Sequence, residues 1–186
     1  MRSWRIDRRE TLFEHRLFAL HRDSLVAPAG DPLAGPAATR EALTLEAPTW
    51  VNIIALLPDD RVLLVRQWRY GIGSETLEIP GGMVEPGEEP SVAASRELLE
   101  ETGYRAGRLA YLGEVEPNPA FITNRCLTYV ARELECLGAP EGDGEEELAV
   151  ESVALVEIPR LIVSGAIRHA LVIAAFYLHD QAGRAE

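Results

Sequence analysis

The feature that most constrains this chain is a stretch in which a strand must stop and a helix must start within a dozen residues. Residues 76–79 read as a strand, and Pro80-Gly81-Gly82 halts it. Pro90 then suits the first position of a helix and Gly103 its left-handed terminator, which predicts a helix of roughly three turns. On that helix Glu97, Glu100 and Glu101 stand at i, i+3 and i+4, so three carboxylates share one face. Left alone they repel by roughly a few tenths of a kcal/mol per pair, and a bound cation reverses the sign. An all-oxygen donor set with no neighbouring His or Cys favours Mg²⁺ or Mn²⁺ over zinc.

The other positions of the stretch suit the same chemistry. Arg96 lies one turn before Glu100 and within reach of Glu88, where it can hold the loop and the carboxylates in place. Gly81 and Gly82 permit a tight bend that exposes carbonyl oxygens toward a metal. Val92, Leu98 and Leu99 are expected to anchor the helix to a sheet. A run such as Glu-Leu-Leu-Glu-Glu is on its own usually a solvated helix face, but the matched glycines, arginine and apolar positions argue for a site.

The remaining chain supplies strands around this unit. Residues 12–26 and 42–45 read as short strands flanking a Pro/Gly/Ala-rich loop at 27–38, an N-terminal β extension over residues 1–47. Residues 50–57, the turn Pro58-Asp59-Asp60 and residues 62–65 predict a buried β-hairpin that opens a second domain over 48–186. Further strands are expected at 109–115, 126–131 and 150–156, with an acidic loop at 141–147. A last helix is expected at 167–179, with Arg168, His169 and His179 facing outward.

Composition bounds the partners. With 30 acidic residues against 18 arginines and no lysine, the formal charge of −12 argues against a nucleic-acid binder, which needs a basic face. It does not argue against a phosphate substrate, because metal ions collected by carboxylates dominate the local charge. Two cysteines without ligand spacing suit a reducing cytoplasm, and no apolar stretch is long enough to suggest a membrane partner.

From Gly82 to Tyr104 the chain resembles the Nudix hydrolases, whose box reads Gly-x5-Glu-x7-Arg-Glu-U-x-Glu-Glu-x-Gly-U with U a bulky apolar residue. Tyr104 departs from the usual aliphatic at the last position, which packs rather than reacts. The resemblance extends over residues 50–178 and implies an α/β fold, a Nudix-type α/β/α sandwich with a mixed sheet. It implies metal-dependent hydrolysis of a nucleoside diphosphate linked to another moiety. By position, Glu97 and Glu101 are the implied metal ligands, and Glu100 is a ligand directly or through water. Gly81 offers a carbonyl, and Arg96 supports the catalytic set.

Pro119, sixteen residues after Gly103, matches a mark of the branch acting on ADP-ribose and related nucleoside diphosphate sugars, although a proline in Pro117-Asn118-Pro119 also suits a turn. That branch implies that Arg69 grips the diphosphate or the terminal sugar and that Glu78 faces the nucleoside, and Trp50 or an aromatic of the N-terminal extension is the candidate to stack on the base. It implies a general base among Glu145, Glu146 and Glu147, with Glu146 the central choice, and a homodimer through the N-terminal strands. A nucleoside-triphosphate pyrophosphohydrolase and a non-catalytic ligand-sensing module are the competing readings. The long extension and Pro119 disfavour the first, and the intact box disfavours the second.

Overall fold

The apolar run at 50–57 becomes a strand covered on both faces, and the rest of its unit is arranged around it. The structure is a computed structural model that describes residues 4–27, 39–140 and 148–185. It divides into two units, Met1–Pro48 with Glu116–Asn124, and Thr49–Val115 with Arg125–Glu186.

The first unit is an antiparallel sheet in the order β1 (Arg5–His15), β2 (Phe18–Val26), β3 (Thr39–Glu46). The expected single strand at 12–26 is therefore two, turning at Arg16 and Leu17. The strand register is pinned by Asp23, fully buried, which accepts hydrogen bonds from Arg9 at 2.7 and 2.9 Å and from the Thr44 hydroxyl at 2.7 Å. All eleven residues of β1 are exposed. Within this unit the Leu45 N–H donates to the Phe121 carbonyl at 2.7 Å, which ties the 116–124 segment to β3. The loop at 28–38 lies outside the described residues.

The second unit holds two sheets. One runs β7 (Gly81–Met83), β4 (Trp50–Ala55), β9 (Cys126–Cys136), β8 (Tyr104–Val115), and is mixed because β4 and β9 are parallel. The other runs β10 (Ala149–Ala154), β5 (Arg61–Arg69), β6 (Ser74–Glu78) and is antiparallel. The expected β4–β5 hairpin is corrected here. Beyond the bridge between Leu56 and Val62 the two strands part and enter different sheets. Their composition explains it, since each is apolar on both faces and is buried as a central strand with a neighbour on either side.

Helices cover opposite faces of β4. Val51, Ile53 and Ala55 pack with Ala93, Ala94 and Leu98 of α1 (Pro90–Thr102), whereas Ile54 packs with Val172, Ala175 and Phe176 of α3 (Ala170–Ala185). On α1 only Leu98 of the three expected anchors is buried. Val92 and Leu99 are exposed, and small Ala93 and Ala94 let the helix approach the sheet instead. A short helix α2 (Ile158–Val163), missed in the sequence, precedes α3. The last helix starts at Ala170, after the buried Ile167, and His169, expected outward, turns Nδ1 toward Glu78 instead. Among the described residues no helix is long and apolar enough to cross a membrane.

Candidate active site

The site begins where β6 ends. Three residues after Glu78 the chain re-enters a strand at Gly81, pairing with β4, and the Pro80 carbonyl accepts the Ile53 N–H at 2.8 Å. Gly81 is required sterically by the backbone beside it, and Gly82 leaves room for the Glu97 carboxylate. A side chain at Gly81 would strike the Val51 carbonyl, and one at Gly82 would strike the Glu97 carboxylate. α1 then starts at Pro90 and stops at Gly103, whose φ of 74° is left-handed and whose N–H donates to the Leu99 carbonyl at 2.8 Å.

Arg96 organises what lies between. Its Nε and Nη2 donate to the two oxygens of Glu88, both at 3.0 Å. Nη1 reaches Glu97 at 2.8 Å and Glu100 at 3.1 Å, and Nη2 also donates to the Met83 carbonyl at 3.0 Å. One guanidinium thus fastens the 84–89 loop, the β7 terminus and two helix carboxylates. Hydrogen bonding from Arg96 holds the Glu88 carboxyl below its ordinary pKa. Burial pushes Glu97 up against the opposing pull of Arg96. Glu101, nearly buried, accepts the Gly81 N–H at 2.9 Å and so locks helix to strand.

In this arrangement no three carboxylates or other ligating side chains among the described residues converge on one point. The donors nevertheless fit a hard divalent cation. They are all oxygens, they line one helix face, and Gly82 leaves the Glu97 carboxylate uncovered by any side chain at that position.

A second polar cluster lies one strand away. Glu78, 2% exposed, takes two hydrogen bonds of 2.9 Å from Arg69, Nε to Oε1 and Nη2 to Oε2, and one of 2.5 Å from the Thr76 hydroxyl. Burial raises the Glu78 pKa, but these donors outweigh it and the net shift is downward. Arg69 Cζ stands 5.9 Å from the Trp50 ring centroid, and the indole N–H donates to Asn52 Oδ1 at 3.0 Å. His169 places Nδ1 3.7 Å from Glu78 Oε2. The Asn52 amide nitrogen and His169 Nδ1 are buried without a hydrogen-bond partner among the described residues.

The structure joins Arg96 to Glu97 and Glu100 and, separately, Glu101 to Gly81 by hydrogen bonds, and it brings Arg69, Glu78 and Trp50 together. Pro119 belongs to the N-terminal unit, and Glu145, Glu146 and Glu147 lie outside the described residues. Sequence reasoning missed Asn52, Thr76 and His169. Asn52 had a signal, being the lone polar residue within an apolar buried run. Thr76 had another, since i and i+2 share a strand face with Glu78.

Residues 48–176 match the NUDIX domain. The chain belongs to the Nudix hydrolase family. This Nudix chain is 31% identical over 167 residues to an ADP-ribose pyrophosphatase of Mycobacterium tuberculosis (strain ATCC 25618 / H37Rv), covering 89% of this chain and 77% of that protein. It is likewise 31% identical over 157 residues to an ADP-ribose pyrophosphatase of Bacillus subtilis (strain 168), covering 84% and 81%. A crystal structure of an ADP compounds hydrolase superposes with a TM-score of 0.82 at 26% identity, over 98% of this chain and 95% of that one. The Nudix α/β fold with its mixed sheet, expected from the box, is thus the fold of this chain.

Proposed function

We propose that this enzyme hydrolyses the pyrophosphate of ADP-ribose or a related nucleoside diphosphate sugar, giving a nucleoside monophosphate and a sugar phosphate. The observation that carries it is the Arg96 cluster, in which one guanidinium fixes Glu88, Glu97 and Glu100 beside the Gly81–Glu101 lock. Glu97, Glu100 and Glu101, with the Gly81 carbonyl, would hold Mg²⁺ or Mn²⁺. When bound, such ions neutralise pyrophosphate charge and acidify water to a usable nucleophile.

The chain's own residues supply positioning and proton transfer. Arg96 keeps the carboxylates from splaying apart. Arg69 presents a guanidinium fork suited to phosphate or sugar oxygens, and Glu78 holds that fork in one orientation. Trp50 offers a ring face for the base. Glu146 is the proposed general base, taking the proton from the attacking water. The two ADP-ribose pyrophosphatase relatives and Pro119 support the ADP-ribose branch over triphosphates.

The N-terminal extension over 1–47 is proposed to mediate a homodimer around the 48–186 catalytic domain. An eleven-residue strand exposed throughout, carrying Ile6, Leu12 and Phe13, supports this. Free cysteines support a cytoplasmic setting. The test is product identification after incubation with Mg²⁺ and a panel of ADP-ribose, GDP-mannose, NADH, diadenosine polyphosphates and 8-oxo-dGTP. Nucleoside monophosphate with sugar phosphate from ADP-ribose or GDP-mannose supports the reading, and failure to cleave either of them overturns it.

A further inference from the structure

Arg108 on β8 and Arg132 on β9 are direct partners in the antiparallel register. Like charges placed opposite each other in such a pair destabilise it. The chain has carboxylates in excess, and neighbouring arginines use them. Arg105 pairs with Glu135 at 2.6 Å, Arg125 with Glu114 at 3.2 Å and Arg184 with Asp180 at 2.9 Å. Arg108 and Arg132 make no ion pair or hydrogen bond among the described residues. Glu133, adjacent to Arg132, turns its carboxylate over Gly107 instead.

Both arginines line a cavity of about 350 Å³ whose opposite wall is the C-terminal half of α3. Small residues there, Ala182 and Gly183, and Ala110 on β8 leave the space open, and His179 completes the lining. Burial lowers the His179 pKa and the charge of Arg132 lowers it further, against the opposing pull of Asp180. Two exposed arginines without a counter-ion among the described residues, directly opposite each other on paired strands and both lining an open cavity, offer two cationic forks to one anion. A tetrahedral dianion matches them better than a carboxylate, because it carries two charges and presents oxygens in more than one plane to two planar forks.

We propose that Arg108, Arg132 and His179 form a second binding site, separate from the Nudix box and from the Arg69–Glu78 cluster, for a phosphate monoester or free phosphate. The cavity has room for a small phosphorylated molecule, and the formal charge of −12 disfavours a nucleic-acid strand.

Calorimetric titration of the full chain, with metal chelated, tests this with inorganic phosphate and with ribose 5-phosphate as probes. Both Arg108→Gln and Arg132→Gln are expected to weaken phosphate binding roughly tenfold or more, while Glu101→Gln leaves it unchanged. Tighter binding of ribose 5-phosphate identifies the ligand as a phosphorylated sugar, and equal binding identifies phosphate alone. Absence of binding to the unmodified chain at millimolar probe overturns the proposal. So does an affinity that both arginine variants retain.

Discussion

Arg69 and Glu78 are joined by two parallel hydrogen bonds of 2.9 Å, and Glu78 is almost wholly buried beneath the arginine. A carboxylate so placed is stable only while its partner stays, since removing one member of a buried pair leaves an uncompensated charge costing about 3–5 kcal/mol. Arg69→Ala is therefore expected to lower the melting temperature as well as kcat/KM. Arg69→Lys should recover much of the stability but little of the activity, because an ammonium cannot reproduce the fork. Equal activity of the lysine and arginine forms, measured as kcat/KM, would show that the fork does not serve the substrate.

The same pair predicts a pH dependence. The folded state holds the Glu78 pKa below its ordinary value near 4.5, so its stabilisation is fully present above that value. It is lost as pH falls through the depressed folded value. The stability difference between the unmodified chain and Glu78→Gln should thus shrink as pH is lowered from about 6 to about 3. Denaturant melts at several pH values measure it, and a constant difference would contradict the assignment.

At the box, Glu101→Gln keeps an oxygen to accept the Gly81 N–H but removes a charge that a metal needs. Turnover is expected to fall by roughly two orders of magnitude or more with the fold intact. Near-normal turnover in a well-folded variant would remove Glu101 from the metal set.

Gly82→Ala tests the fit between strand and helix. The added methyl collides with the Glu97 carboxylate, which must move, and displacement by about 1 Å at such a site can cost roughly 10²-fold in rate. Activity close to normal, with an unchanged melting temperature, would mean that Glu97 is not required where it stands.

Much of this was legible in the sequence for identifiable reasons. Pro90 and Gly103 mark the helix because proline fixes a helical φ and glycine alone readily adopts the left-handed φ of the stop, and the box glutamates share a helix face because helical spacing is regular. Strand partners were less legible. Residues 50–57 and 61–69 look like a hairpin locally, yet which strands flank each is decided by burial on both faces, a property of the assembled sheets. His169 reads as an outward polar position of a helix expected from residue 167, but the helix begins only at Ala170. The position of His169 beside Glu78 depends on where the segment before α3 meets β6, which local sequence does not encode.

Two proposed roles rest on segments with separate tests. Glu146→Gln should lower kcat by roughly 10²-fold or more with little change in metal affinity, and Glu145→Gln and Glu147→Gln should matter less. Full rates in all three would place the base elsewhere. For the dimer, light scattering should give about twice the 20.5 kDa chain mass, and a monomer would reject the role of the N-terminal strands.

The most direct test of the account is the specificity constant measured with Mg²⁺ on ADP-ribose and on dATP and 8-oxo-dGTP in parallel. The account predicts a higher kcat/KM for ADP-ribose, with AMP and ribose 5-phosphate as products. A higher value for either triphosphate, with pyrophosphate released, would contradict it.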